Sequence, residues 1–188
     1  MDFKTKPISR VELRAIARWI KHIFKCKNKF RFDVIDAFER IPLLFPQITT
    51  EIVDDNSTDV ISDLNVPGTC NPNMKGNYHI VVREKVYDGA CRGVGGYRAH
   101  ILHEMCHAIL CLLGFTPVLD RSFKNYEIEP CYLSMEWQAK ALNQEIMVPY
   151  EETKGMSKKK IKHLCQVSNN LINYKHSIDE YDDDNDWI

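Results

Sequence analysis

The sequence predicts one α+β domain, in which several amphipathic helices pack against a small mixed β-sheet. Two observations indicate this class. Apolar residues recur at helical spacing from Val11 to Phe24. Residues 48–53 and 78–82 are rich in β-branched side chains and are bounded by polar or turn-forming residues. With 188 residues, 44% of them apolar, the chain is long enough to bury one core.

Caps and helix breakers set the expected boundaries. Ser9 and Glu12 form a capping-box pattern at the start of the first helix. Pro42 and Pro46 are expected to end the second helix, and Gly114 to follow the end of a later one. The expected elements are, in chain order, helices over 10–25 and 32–45, a strand over 48–53, a loop over 67–76, an edge strand over 78–82, a loop over 88–96, and helices over 97–113, 132–147, 157–165 and 169–175.

Charge and cysteine content narrow the class of function. The net charge is −1, which argues against direct nucleic-acid binding or a membrane partner. Two lysine-rich segments, residues 21–31 and 158–162, are interpreted as solvated faces. Seven scattered cysteines without a Cys-x-x-Cys pair are expected to be reduced and buried. The first ten residues have no apolar signal region, so the expected location is the cytoplasm.

The central motif is His-Glu-Met-Cys-His at residues 103–107. In an α-helix, positions i and i+4 lie about 40° apart around the axis and about 6 Å apart along it. His103 and His107 can therefore both reach one Zn²⁺ at about 2.0–2.1 Å. Glu104 lies beside such a metal, where its carboxylate can take a proton from a water molecule. The apolar flanks predict a buried helix, in which unpartnered polar side chains are costly.

A catalytic zinc site needs a third protein ligand, which leaves a fourth position for water. The candidates are Glu127, Glu129, Glu136, Glu145 and the remaining histidines. Glu136 is favoured because it begins a patterned helix and lies one helical step from that helix's apolar face. Glu145 is expected on the opposite, solvent-exposed side. Glu127 and Glu129 are expected in a loop, where a ligand is positioned less firmly.

Further pieces of the chain accompany the motif in order. They are the strand and glycine-containing loop leading to it over 80–107, Arg98 five residues before His103, Glu136 and Ala139 with the Ile-Met-Val-Pro run at 146–149, and Leu-Cys-Gln-Val-Ser-Asn-Asn at 164–170. Together these pieces resemble the ImmA/IrrE family of gluzincin-like zinc metallopeptidases. The similarity covers most of residues 30–175.

The resemblance implies a zincin-like fold and a role for each matching residue. His103, His107 and Glu136 would be the zinc ligands, and Glu104 the general base. The domain is expected over residues 1–150, with a C-terminal helical segment over 151–177 packed on it and a disordered acidic tail over 178–188. Better-known members of the family act on helix-turn-helix repressors of phages, mobile elements or stress regulons. A repressor of that type, encoded as a separate protein, is therefore the expected partner.

Several residues are weaker candidates for supporting roles. Asn143 stands where the family has a different residue, and its amide can hydrogen-bond a ligand. Tyr132, His100 and Arg98 are further candidates for contacts around the metal or for stabilising an oxyanion, and Tyr78 and His79 are considered for the same oxyanion role. Cys106 precedes His107, and buried packing is expected for it rather than metal ligation. The strand over 78–82 is a candidate for holding an extended substrate.

Two other functions remain open from the sequence. The protein could bind zinc and grip a repressor without cutting it, although such a binder has no need of the base Glu104. It could also contact DNA through its lysine-rich segments, which the near-neutral charge and the acidic tail disfavour.

Overall fold

The structure is a computed structural model that describes residues 2–73, 75–118, 130–173 and 175. It has the expected α+β composition, with a three-stranded sheet. The elements are α1 (Arg10–Ile23), α2 (Val34–Leu44), β1 (Ile48–Val53), β2 (Gly68–Pro72), β3 (Tyr78–Arg83), α3 (Glu84–Cys91), α4 (Gly95–Leu112), a 3-10 helix (Cys131–Leu133), α5 (Met135–Met147), α6 (Tyr150–Thr153) and α7 (Lys158–Cys165). None of these helices is long and apolar enough to cross a membrane.

The sheet differs from the expectation in two ways. Its strand order is β1-β3-β2, so β3 is the central strand and the prediction of an edge strand was wrong. β1 pairs with β3 in parallel, and β2 pairs with it antiparallel. Ile80, Val81 and Val82 are all buried, as befits a strand covered on both faces. β2 lies within the segment 67–76, which was expected to be a loop because its Gly, Pro and Asn residues are typical of turns.

The first two helices follow their caps. The Ser9 hydroxyl accepts a hydrogen bond from the Glu12 N–H at 3.2 Å, and Glu12 accepts from the Ser9 N–H at 2.8 Å, which completes the predicted capping box. Pro42 lies inside α2, so the expectation that it ends this helix was wrong. Proline removes one intrahelical hydrogen bond, and the burial of Phe38 and Ile41 on the same helix offsets that loss. The helix ends instead before Pro46, where Phe45 leaves the helical conformation.

Residues 88–96 are largely helical, although their glycines predicted a loop. α3 continues from β3 to Cys91, and α4 begins at Gly95. Gly89 is used for close packing, because a Cβ there would overlap the ring of Tyr97. Gly93, between the two helices, has a φ of +84°, a conformation that favours glycine. At the other end of α4, Gly114 has a φ of +86°, as predicted for the residue after the helix.

α5 is buried on more sides than its pattern predicts. The prediction that Glu145 is solvent-exposed was wrong, because α1 covers that side and Glu145 is 2% exposed. Its carboxylate Oε1 lies 3.0 Å from Lys175 Nζ, 3.5 Å from Arg10 and 3.6 Å from Arg14. Burial raises the pKa of Glu145, and the positive charges of Lys175, Arg10 and Arg14 oppose that shift.

The C-terminal segment contains the two short helices that were predicted, with small shifts of boundary. α7 spans Lys158–Cys165, and residues 169–173 are also helical. The acidic tail over 178–188 lies outside the described residues, and the boundaries at 150 and 177 stay predictions. All seven cysteines are free, but Cys91 and Cys131 are exposed, contrary to the expectation that the cysteines are buried.

A single buried side chain organises the segment between β1 and β2. Arg83, at the end of β3, is fully buried and donates hydrogen bonds to six backbone carbonyl oxygens. The acceptors, at 2.8–3.3 Å, belong to Asp54, Asp55, Ser57, Ile61, Asp63 and Val66. A planar guanidinium offers five N–H donors in fixed directions, so it suits a ring of carbonyl acceptors.

We expect Arg83→Met to destabilise the protein, because the carbonyl groups would lose their buried donor. A loss of at least about 2 kcal/mol in the free energy of unfolding is expected, measured by urea denaturation. Arg92→Met is the matched control, since Arg92 is exposed. An equal stability change in both variants would contradict the role given to Arg83.

Candidate metal centre

Two helices bring the three candidate ligands together. His103 and His107 lie one turn apart on α4, and Glu136 is the second residue of α5. The start of α5 is fixed by Ser134, whose hydroxyl accepts a hydrogen bond from the Trp137 N–H at 2.9 Å. This is the N-cap arrangement expected of serine. α5 therefore begins at Met135, three residues later than predicted, and Glu136 lies in its first turn as expected.

The side-chain atoms of the cluster form a small triangle. His103 Nε2 lies 3.1 Å from His107 Nε2 and 3.1 Å from Glu136 Oε1. His107 Nε2 lies 3.2 Å from Glu136 Oε2. The histidine side chains are 15% and 16% exposed, and that of Glu136 is 37% exposed. All three groups are thus mostly shielded but open to solvent on one side.

This triangle fits a divalent metal ion. Ligand atoms about 2.0–2.1 Å from a tetrahedral ion lie about 3.4 Å from one another, close to the separations found here. Two imidazole nitrogens and one carboxylate oxygen are donors of the type that borderline transition metals prefer. His103, His107 and Glu136 are therefore a group that could hold a metal ion, and they are the three ligands that were predicted.

Electrostatics keep Glu136 ionised. Hydrogen bonds from the His103 and His107 side chains hold the pKa of the Glu136 carboxyl well below its usual range, against the opposing effect of burial. Lys140, one turn along α5, places its ammonium 3.3 Å from Glu136 Oε1. An anionic carboxylate at this point is what a cation site requires.

Glu104 lies beside the triangle, under the edge of β2. Burial raises the pKa of its carboxyl, while the charges of His103 and His107 and a hydrogen bond from the Cys70 backbone N–H lower it. The pairing register explains that bond. Hydrogen-bonded and non-hydrogen-bonded positions alternate in this antiparallel pair, and the ladder bonds at Pro67 and Asn73 make Gly68 and Cys70 the positions whose backbone N–H and C=O groups point away from β3.

Gly68 allows the close approach of β2 to β3, beside Glu104 of α4. A Cβ at Gly68 would lie 2.9 Å from the backbone oxygen of Val81 and 3.6 Å from Cγ of Glu104. The first distance is too short for a real side chain, so a larger residue would push β2 away from β3. Neither Gly68 nor Cys70 was recognised in the sequence, because β2 itself was not expected.

The N-terminal residues form another wall that sequence patterns did not reveal. Asp2 accepts hydrogen bonds from the Ser134 hydroxyl at 2.6 Å and from the Glu136 N–H at 3.1 Å. The Phe3 carbonyl accepts from the Met135 N–H at 2.9 Å. An aspartate at the start of α5 also interacts favourably with the helix dipole. This segment thereby holds the backbone of Glu136 in place.

The cluster opens onto a cleft of about 460 Å³. Its walls come from β2, α4, the start of α5 and the N-terminal segment, and Tyr78 and Cys111 line it beyond Glu104. Burial and contact with Cys111 raise the pKa of Tyr78 to about 12, so its hydroxyl stays protonated near neutrality. A second cavity, of about 510 Å³, continues on the other side of Glu136 along α5. Asp2 and Glu136 line both cavities.

The supporting candidates from the sequence are mostly not at the cluster. Asn143 donates to the Ala99 carbonyl at 3.0 Å rather than to a ligand, although it lines the second cavity. Arg98 is buried and donates to the Phe32 and Gln166 carbonyls rather than to His103, His107 or Glu136. Tyr132 contributes its backbone carbonyl to Gln138.

The remaining candidates also differ in whether they line the cleft. His100 is exposed, one turn before His103, and does not line the cleft. His79 bonds Thr49 and Glu51 on β1, whereas Tyr78 faces the cleft. Cys106 is fully buried, as expected, and burial raises the pKa of its thiol. Of the residues considered as oxyanion donors, Tyr78 alone lines the cleft.

Comparisons with protein-family models, curated proteins and solved structures found no match.

We expect the purified protein to bind one equivalent of a divalent metal ion through this cluster. His103→Ala and Glu136→Ala should each weaken binding more than about 100-fold, because loss of a ligand costs more than loss of an outer partner. Metal content after dialysis against Zn²⁺, Co²⁺, Ni²⁺ or Mn²⁺ would be measured by mass spectrometry.

Glu151→Ala is the control for this measurement, since Glu151 is exposed and lines neither cavity at the cluster. Glu145 is unsuitable as a control. Its buried carboxylate forms ion pairs with Arg10 and Arg14, so its removal is expected to destabilise the fold. Full metal content in the Glu136→Ala variant would exclude Glu136 as a ligand.

Proposed function

We propose that this protein is a zinc-dependent endopeptidase. The observation that carries the proposal is the convergence of His103, His107 and Glu136 at one end of a cleft, with the carboxylate of Glu104 beside them. Three protein ligands with a solvent-facing side are typical of catalytic zinc sites, whereas structural sites use four. A two-histidine, one-carboxylate set with a neighbouring glutamate is the arrangement of zinc hydrolases that cleave peptide bonds.

Each group has a distinct task in this proposal. Zinc, when bound, would supply Lewis-acid chemistry and lower the pKa of water. Glu104 would accept a proton at its carboxylate and return it to the leaving amine, as a general base and then a general acid. Its partly buried position, which raises its pKa, brings it closer to the range in which a group can do both. The Tyr78 hydroxyl is a candidate donor to the developing oxyanion.

The shape of the cleft supports an extended polypeptide as substrate. Cavities on both sides of Glu136 allow a chain to pass through the site rather than end there. The hypothesis that the strand over 78–82 holds the substrate was wrong, because β3 is paired on both sides. β2 is the edge strand at the cleft, so we assign strand addition to it instead.

The substrate class within this proposal rests on the resemblance to the ImmA/IrrE family. A helix-turn-helix repressor encoded near the gene is the substrate we propose, and its cleavage would release a phage, mobile element or stress regulon in the cytoplasm. The rival function is a zinc protein that grips such a repressor without cutting it. Glu104 distinguishes the two, because binding does not require a base.

We expect Glu104→Gln to reduce cleavage of a co-expressed neighbouring repressor by at least about 100-fold, because glutamine cannot accept the proton. Cleavage is read from the repressor fragments by mass spectrometry. Zinc content should be unchanged, since Glu104 is not a ligand. Glu151→Gln serves as the control. Equal cleavage by wild type and Glu104→Gln would refute the role of Glu104, and stable binding without cleavage by either would favour the gripping function.

We expect Gly68→Ala to lower kcat/KM by about 10- to 100-fold while leaving zinc content intact. The added Cβ would displace β2 from β3 and thereby move the strand edge that contacts Glu104. Gly96→Ala is the matched control, because a Cβ there meets nothing within 4 Å. If both variants cleave at the wild-type rate, β2 does not position the reacting groups.

A further inference from the structure

Two lysine-rich segments that are far apart in the sequence lie together in the structure. The segments are residues 21–31, from the end of α1 to the start of α2, and residues 158–162 in α7. Arg98 fastens the regions that carry them. It is 3% exposed and donates to the Phe32 carbonyl at 2.7 Å and to the Gln166 carbonyl at 3.2 Å. The two segments were interpreted separately as solvated faces, but the buried Arg98 ties Phe32, the residue after the first segment, to Gln166, four residues after the second.

Lys21 closes the first segment and lies near the region that contains α6 and α7. Its ammonium donates to the Lys29 carbonyl at 2.6 Å, which closes the first segment into a compact loop. Glu152 and Cys165, at either end of the α6–α7 region, both act electrostatically on Lys21. The C-terminal end of α7 therefore lies near the loop, and the helix, about 12 Å long, carries the lysines of the second segment outwards from there.

A cavity of about 520 Å³ lies at the centre of the first segment. Lys25, Lys27 and Arg31 line it and make no ion pair within the described part of the chain. Arg40 also lines it, but its guanidinium is 2.7 Å from Asp36. The remaining carboxylate at the cavity is Asp33, which caps α2. The cavity thus has a clear excess of positive charge.

The net charge of the whole chain hides this excess. The chain has 25 Lys and Arg against 26 Asp and Glu, but six of the acidic residues fall within residues 179–186. The rest of the chain has 25 basic and 20 acidic residues. A near-neutral total charge is therefore compatible with a strongly basic surface elsewhere, and it does not exclude binding to a nucleic acid.

We propose that this surface, formed by residues 21–31 and 158–162, binds the phosphate backbone of a nucleic acid. Lysines contact phosphates without reading base sequence, so the binding is sequence-independent. A protein partner fits less well. Protein interfaces are centred on aromatic and apolar residues and are depleted in lysine. Among the described residues, the exposed large apolar side chains, such as Trp19 and Val94, lie outside both segments.

The test is fluorescence anisotropy of a labelled 20-base-pair DNA duplex titrated with the full chain over a range of salt concentrations. We expect a Kd of about 10⁻⁴–10⁻⁶ M near physiological salt, weakening steeply as salt increases. Lys25→Ala with Lys27→Ala should weaken binding at least tenfold and reduce the slope of log K against log salt by about two. Lys158→Ala with Lys160→Ala should act similarly.

The matched control is Lys75→Ala with Lys85→Ala, which removes two exposed charges elsewhere and should change binding less than twofold. Unchanged thermal melting would show that all variants fold, since the replaced side chains are exposed. Absence of salt-dependent binding, or equal binding of poly-glutamate at the same charge, would overturn the proposal. Loss in only one of the two lysine variants would overturn the joint surface. The readout is independent of peptidase activity.

Discussion

The position of α4 is the constraint on which the rest of the structure depends. This helix is buried nearly all round, with Ile101, Leu102, Met105 and Ile109 in the core. Only one narrow stripe, carrying the two histidines and Glu104, faces the gap between β2 and α5. A helix packed this tightly cannot rotate without opening voids, so the direction of the stripe is fixed by the core itself. The two histidines of the candidate metal site therefore owe their position to apolar packing.

Local patterns were sufficient wherever one helix determines the arrangement. The i, i+4 spacing of His103 and His107 gives their approach directly, and the serine–glutamate pair of the capping box gives the start of α1. Glu136 could be chosen because its own helix carries a clear apolar pattern. In each case the residues that interact, or that form the pattern, lie within one helix. The sequence spacing alone therefore gives their arrangement.

Patterns failed where a second element decides the environment. Glu145 was placed in solvent because the pattern of α5 shows one apolar face, but α1 covers the other and supplies cations to it. β2 was missed because its Gly, Asn and Pro residues have low strand propensity, and pairing with β3 overrides that preference. Asp2 acts 134 residues away in sequence, so nothing near it indicates a contact with Glu136. The distribution of charge is a further example. The net charge of the whole sequence does not show which basic residues lie together on the folded surface.

Arg83 has a consequence for how the chain between β1 and β2 can vary. Because this arginine binds carbonyl groups of the main chain, it holds the path of residues 54–66 without regard to their side chains. Most of those side chains are exposed or half-buried, whereas Val66 reaches the rim of the cleft. Substitutions in this loop can thus reshape the outer surface beside the cleft while the backbone keeps its course. The backbone of residues 54–66 is thus held in place, while most of its side chains can be exchanged.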